Sequence, residues 1–141
     1  MAGRLRTPAD LLDLRLLHEE NDAEWRAWFG EQGIALDAAS LAGPRLWHAH
    51  VMLDAARSGE GIALANPLLV ADHLASGLLV PVTCSGGAFN PVALGGYNFT
   101  ARDDRWRDPA LQRFRLWLRD NASLLERRSD GTDQPLVAAR S

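Results

Sequence analysis

The chain has 141 residues and a mass of 15.4 kDa, enough for one domain with a core of its own. All 15 basic residues are arginines, scattered among 18 acidic residues for a net charge of −3, which argues against a dedicated nucleic-acid-binding chain with its clustered basic surface. A single cysteine, Cys84, excludes an internal disulfide framework and a Cys-rich zinc module.

The first residues carry arginines without an apolar run behind them, so they do not read as a signal peptide. Apolar stretches such as Leu78-Leu79-Val80-Pro81-Val82 are too short to cross a bilayer, and a cytoplasmic protein is expected. Thr7-Pro8 starts a short helical turn, with Thr7 as cap and Pro8 in the first position. Leu14 to His18 predicts a brief buried strand. Asn21-Asp22 caps a helix carrying Trp25, Trp28 and Phe29 at helical spacing, and Gly33 ends it. Residues 34–43 form a loop. After Gly43-Pro44, Arg45-Leu46-Trp47-His48 is short and extended in character, and 49–58 predicts a helix apolar over most of its surface.

Gly59 and Gly61 permit a tight turn into the strand Ile62-Ala63-Leu64-Ala65, apolar on both sides as a parallel strand is. Asn66-Pro67 caps a helix over 68–75, Gly77 stops it, and 78–82 forms a further apolar strand. This alternation predicts an α/β fold. Ser85-Gly86-Gly87-Ala88-Phe89-Asn90-Pro91 breaks the rhythm as a hinge or long turn, and Val92-Ala93-Leu94 resumes a strand closed by Gly95-Gly96. Asp108-Pro109 caps a long helix with an apolar stripe of Leu111, Phe114, Trp117, Leu118 and Leu125. From Arg127 the composition predicts a disordered tail, 127–141.

The order and spacing of these pieces resemble the effector-binding domain of LysR-type transcriptional regulators, in the branch of the glycine-cleavage activator. Three stretches carry the likeness: Thr7-Pro8-Ala9-Asp10-Leu11 through Trp25-Arg26-Ala27-Trp28-Phe29; Gly43-Pro44-Arg45 running into Leu53-Asp54-Ala55-Ala56-Arg57-Ser58-Gly59-Glu60-Gly61-Ile62-Ala63-Leu64; and Leu69-Val70-Ala71-Asp72-His73-Leu74-Ala75-Ser76-Gly77-Leu78-Leu79-Val80. Phe114-Arg115-Leu116-Trp117-Leu118 is similar to the family's closing helix, and the likeness fades between Cys84 and Arg107. The resemblance implies a periplasmic-binding-protein-like fold of two α/β subdomains with a small effector between them. This chain would supply the second subdomain and the C-terminal part of the first. The expected organisation is a partial effector-binding domain over 1–126: second subdomain at about 5–84, crossover at 85–91, remnant of the first subdomain at 92–126. On the same resemblance, DNA is reached only through a helix-turn-helix domain absent from this chain, as in a truncated product, an excised piece or a standalone descendant.

The junction Trp47-His48-Ala49-His50 is the main candidate site, because a strand there meets a helix N-terminus whose N–H groups favour a carboxylate or other anion. The resemblance places it in the effector cleft, and Phe89 in the crossover joins the candidate effector-binding residues. The alternative assignment packs Trp47 in the core and leaves His48 as a cap. His48 and His50 would share a face only on a strand, and no further ligand stands at metal spacing, so neither a metal nor a cofactor is expected. Cys84 lacks a motif that would activate a thiol, and 85–87 lacks phosphate-loop spacing, so no catalytic residue is assigned. The expected function is a non-enzymatic, small-molecule-sensing domain whose partners are a small effector, such as a carboxylate, and a second copy of the chain. The alternative is a non-catalytic oligomerisation module in which Trp106, Phe114, Trp117 and Leu118 pack against that copy.

Overall fold

The computed structural model describes residues 5–37, 41–92, 99–128 and 136–139. They fall into two compact units, Met1–Leu94 with Thr132–Ser141, and Gly95–Gly131.

The first unit is built on a four-stranded sheet in the order β1-β2-β4-β3, with β1 at Leu16–Leu17, β2 at Ile62–Leu64, β3 at Leu79–Pro81 and β4 at Leu136–Ala139. β1 and β2 run parallel, while β4 is antiparallel to both β2 and β3. Among the described residues three α-helices cover this sheet: α1 (Ala23–Glu31), α2 (Ala49–Arg57) and α3 (Pro67–Ala75). Local chemistry sets the starts of α1 and α3. The Asn21 carboxamide oxygen accepts the Ala23 N–H at 2.8 Å, and that of Asn66 accepts the Leu68 N–H at 2.9 Å ahead of a first-turn proline. Before β1, Pro8–Asp13 forms a short 3-10 helix, whose Asp10 carboxylate accepts the Arg6 and Thr7 N–H groups and the Thr7 hydroxyl.

Side chains alternate across a strand, and here the alternation divides the core. Leu16, Ile62, Leu64 and Leu136 face α1 and join Trp25, Trp28 and Phe29. Leu17, Ala63, Leu79 and Val137 face the other way and join Met52, Leu53 and Ala56 of α2 and Val70 of α3. The sheet is covered on both sides, which is why β2 is apolar on both. The buried Trp25 indole N–H donates to the Leu17 carbonyl at 2.8 Å and ties α1 to the strand end.

Several expectations are revised. α2 buries one face only: Met52, Leu53 and Ala56 are inside, but Val51 and Asp54 are exposed, since its many alanines leave the outer surface neutral rather than apolar. Arg45 to His48 is not a strand and makes only a bridge from Arg45 to His18. The segment expected to be a disordered tail supplies β4, whose apolar Leu136 and Val137 fill the two halves of the core. Residues 85–91 stay with the first unit, pinned by the Ser85 N–H on the Leu5 carbonyl and by Asn90 bonded to Glu31 and Gln32. Of the strand expected at 92–94, Val92 is buried; Ala93, Leu94 and the Gly95-Gly96 stop lie outside the described residues.

The second unit holds a single turn of 3-10 helix at Asp103–Arg105 and the long helix α4, Pro109–Arg128. Asp108 starts α4 by accepting the Ala110 N–H at 2.9 Å. The Phe99 ring meets Trp106 and Phe114, and Arg115 lies 5.7 Å over the Trp106 ring. The expected stripe is only partly covered: Leu111 and Leu118 are half-buried, whereas Phe114 and Trp117 are exposed, as is Leu116 outside the stripe. The Leu125 side chain lies outside the described residues.

Two glycines should respond in opposite directions. A Cβ at Gly43 (φ 155°) would overlap the Leu16 carbonyl oxygen and stand 2.7 Å from His18 Nε2. Gly43→Ala is therefore expected to cost about 2 kcal/mol or more. Gly30 sits inside α1 with open space around it, so Gly30→Ala should gain about 0.5–1 kcal/mol. Urea unfolding of the two variants checks both signs.

Candidate functional site

Backbone pairing beyond the end of β1 positions the start of α2. The His18 N–H donates to the Pro44 carbonyl at 3.0 Å, the Leu46 N–H to the His18 carbonyl at 2.9 Å, and the Trp47 N–H to the Glu19 carbonyl at 2.6 Å. The chain must then reverse into the helix, and it does so through Trp47 at φ 63°, among the described residues the one non-glycine with positive φ. A tryptophan in the left-handed region is strained, and such strain concentrates at functional sites. The side chain gains no core packing in return: Trp47 is 64% exposed. The alternative that packs Trp47 in the core is thus overturned.

His48 follows as the N-cap residue of α2, with extended backbone (φ −142°, ψ 136°) and no side-chain bond to the helix. The alternative that leaves His48 as a cap holds for its position, although its side chain makes no capping bond. First-turn N–H groups have no acceptor within their own helix, and among the described residues the cap side chain supplies none. The helix end therefore presents positive potential and free donors. Around it stand Trp47, His48 and His50, all exposed, with Ala49 half-buried and too small to cover the backbone. The two imidazole rings stack, centroids 5.4 Å apart and planes within 12°. Rings in parallel planes do not both aim a nitrogen at one ion, so this pair does not form a chelate. Among the described residues no group of three or more His, Cys, Asp and Glu side chains is placed to hold a metal.

Phe89 goes elsewhere. It packs edge-on against Trp28, centroids 5.1 Å apart, in the α1 half of the core, whereas α2 belongs to the other half. The structure thus brings Trp47, His48, Ala49 and His50 together and leaves Phe89 out of the group.

His18 carries no local motif in the sequence and matters here all the same. It is 2% exposed, and neither ring nitrogen finds a hydrogen-bond partner among the described residues. Its backbone holds the Pro44–Leu46 segment, and its ring meets Gly43 where a larger residue would not fit. Asp22 supports the same region from the other end of the loop. Its carboxylate accepts the Leu41 N–H at 3.1 Å and the Arg26 Nε–H at 2.8 Å. The Leu41 amide first, and Arg26 second, hold the Asp22 carboxyl below its ordinary range.

Three comparisons with known proteins bear on these features. The sequence profile of the family described as LysR substrate binding domain matches residues 2–123. The activator AmpR of Pseudomonas aeruginosa is 33% identical over 125 residues, covering 88% of this chain and 40% of that protein. AmpR of Yersinia enterocolitica is 33% identical over 132 residues, covering 93% of this chain and 41% of that protein. The glycine cleavage system transcriptional activator of Escherichia coli K12 is 28% identical over 116 residues, 81% of this chain and 36% of that protein. The chain thus spans about two fifths of the length of these relatives. No solved structure matches it.

Because Asp22 favours the folded state only when ionised, its stabilisation is complete above the ordinary aspartate range and is lost as pH falls through and below that range. Asp22→Asn is expected to lower the melting temperature at pH 7. The gap between variant and parent should close below about pH 4, as followed by circular dichroism melts.

Proposed function

The chain belongs to the LysR substrate-binding domain family, and from that membership we propose that it senses a small molecule without transforming it. Its first unit corresponds to the second subdomain of a periplasmic-binding-protein-like fold, and α4 to the closing part of the first. The effector is a small carboxylate, taken at the start of α2. The observation that carries this is the first turn of α2, whose N–H donors find no side-chain cap among the described residues and are flanked by exposed Trp47, His48 and His50. The imidazoles supply hydrogen-bond donors beside the backbone, and the indole offers an apolar wall. No chemistry follows binding: Cys84 is half-buried and joined by backbone bridges to Leu5 and Gly87, without a base assigned to it. In the relatives, whose names describe transcriptional activators (AmpR one of helix-turn-helix type), such a signal would be passed to DNA, and this chain would sense for a regulator of that class in the cytoplasm. Among the described residues no helix is long and apolar enough to cross a membrane.

A second role is favoured by one observation. α4 exposes Phe114 and Trp117 side by side, rings stacked 5.7 Å apart, an apolar surface of the kind that serves association between copies. A stable monomer at high micromolar concentration in sedimentation would remove this role.

Thermal-shift and calorimetric screening with amino acids and with aliphatic and aromatic acids tests the sensing role. A binding acid should raise the melting temperature, and His48→Ala should weaken its affinity about tenfold, near 1.4 kcal/mol. No shift with any acid, together with an unaffected His48→Ala variant, would count against the proposal.

A further inference from the structure

His18 grips the segment ahead of α2 in two ways. Its backbone N–H donates to the Pro44 carbonyl at 3.0 Å and its carbonyl accepts the Leu46 N–H at 2.9 Å, while the adjoining Glu19 carbonyl accepts the Trp47 N–H. Its side chain lies against the same segment: a Cβ added at Gly43 would stand 2.7 Å from Nε2 and 2.8 Å from Cδ2, so the Gly43 backbone covers that edge of the ring. The ring is 2% exposed, and among the described residues neither nitrogen has a hydrogen-bond partner. A neutral imidazole carries one N–H, already unmet here. A proton would add a second, together with a full charge, in a place that answers neither. The charged groups of the neighbouring elements do not help: Glu19, Asp22, Glu24, Arg26, Asp37 and Arg45 all leave both nitrogens unbonded, and β2 brings only apolar side chains. Little opposes release of the segment. Three backbone bonds hold it to 18–19, and opening relieves the left-handed strain at Trp47.

We propose that His18 is a pH-sensitive latch: protonation of its ring releases residues 43–47 from the end of β1 and dismantles the start of α2, while the sheet stays folded. The proton is taken up in the opened form, where water solvates the ring, and is given back on closure. Opening is therefore favoured as pH falls into the range where a free imidazole charges, about 6.5 and below, and disfavoured above it. Asp22, which anchors Leu41, is held below the ordinary aspartate range and keeps its charge through that interval. Glu24 is raised, by burial first and by Glu19 and Glu20 after it; protonating it relieves repulsion and steadies the fold, the opposite of opening. His48 and His50, exposed and stacked at the start of α2, are the rival source of an acid effect. The released segment is the one that carries Trp47 and His48, so the latch would regulate the site proposed above.

Amide hydrogen exchange of the full chain decides it, followed for single amides by NMR at about pH 7.5 and about pH 5.5 and corrected for intrinsic rates. The Leu46 and Trp47 amides are expected to exchange about tenfold faster at the lower pH. The Ile62 amide, bonded to the Arg15 carbonyl at the other end of β1, should keep its rate. Combining His48→Ala, His50→Ala and His73→Ala leaves His18 as the one histidine, and this variant should behave as the parent does. His18→Gln, whose side chain does not charge, should lose the difference; if it fails to fold, the triple variant decides alone. Equal rates at the two pH values in the parent would overturn the latch. So would a difference that vanishes in the triple variant or persists in a folded His18→Gln, because the exposed imidazoles would then be its source. A matching rise at Ile62 would overturn it too, since the whole sheet would be opening. The readout needs no effector, so the latch stands or falls apart from binding at α2.

Discussion

The alternation of side chains along two short strands is the constraint from which the sheet unit follows. Leu16 and Leu17 are adjacent in sequence and fall in opposite halves of the core, as do Ile62 and Ala63. Neither half is sufficient alone: α1 supplies the aromatic filling of one, and α2 with α3 the aliphatic filling of the other. A shift of one residue between β1 and β2 would send every one of these side chains to the wrong layer. The Trp25 indole bond to the Leu17 carbonyl and the close approach of Gly61 to the Arg15 carbonyl, where a Cβ would stand at 2.5 Å, hold that register. The start of α2 inherits it, because the backbone pairing from His18 and Glu19 to Pro44, Leu46 and Trp47 continues directly from β1.

Charge has a smaller part. Among the described residues most ion pairs are local, such as Asp22–Arg26, Asp54–Arg57 and Arg105–Asp108; the longer-range Arg15–Glu60 pair is loose at 3.8 Å, and most of them stand in solvent. Pairs of this kind contribute at most about 1 kcal/mol each. The arginines therefore steady helix turns rather than assemble an anion site, and the positive potential at α2 comes from its own backbone.

What was legible in the sequence was local. Asn66-Pro67 and Asp108-Pro109 announce helix starts because the capping oxygen and the missing proline N–H act within one turn. Trp25, Trp28 and Phe29 read as core because their spacing alone places them on one face. The rest depended on distant partners. Nothing in Leu136-Val137-Ala138-Ala139, set between polar neighbours, indicates that a sheet elsewhere has an opening for it. The left-handed turn at Trp47 is invisible to propensity, since no glycine or asparagine marks it. His18 sits behind two leucines in a strand, and only the folded loop buries it. Phe89 was grouped with the α2 junction as a candidate effector contact, and its ring packs on Trp28 instead. For the junction itself, residue types gave the place and the fold gave the exposure.

Pro81 has a consequence for how far copies of this chain can associate. β3 is an outer strand of the sheet, and Val82 directs its N–H inward to β4. Successive residues of a strand direct their N–H groups to opposite edges, so position 81 is turned towards the open side. Proline there costs the ladder nothing, and it deletes a donor from the one row an incoming strand would use. The rim is left blunt. Growth into fibrils along β3 is thereby discouraged at its first added strand.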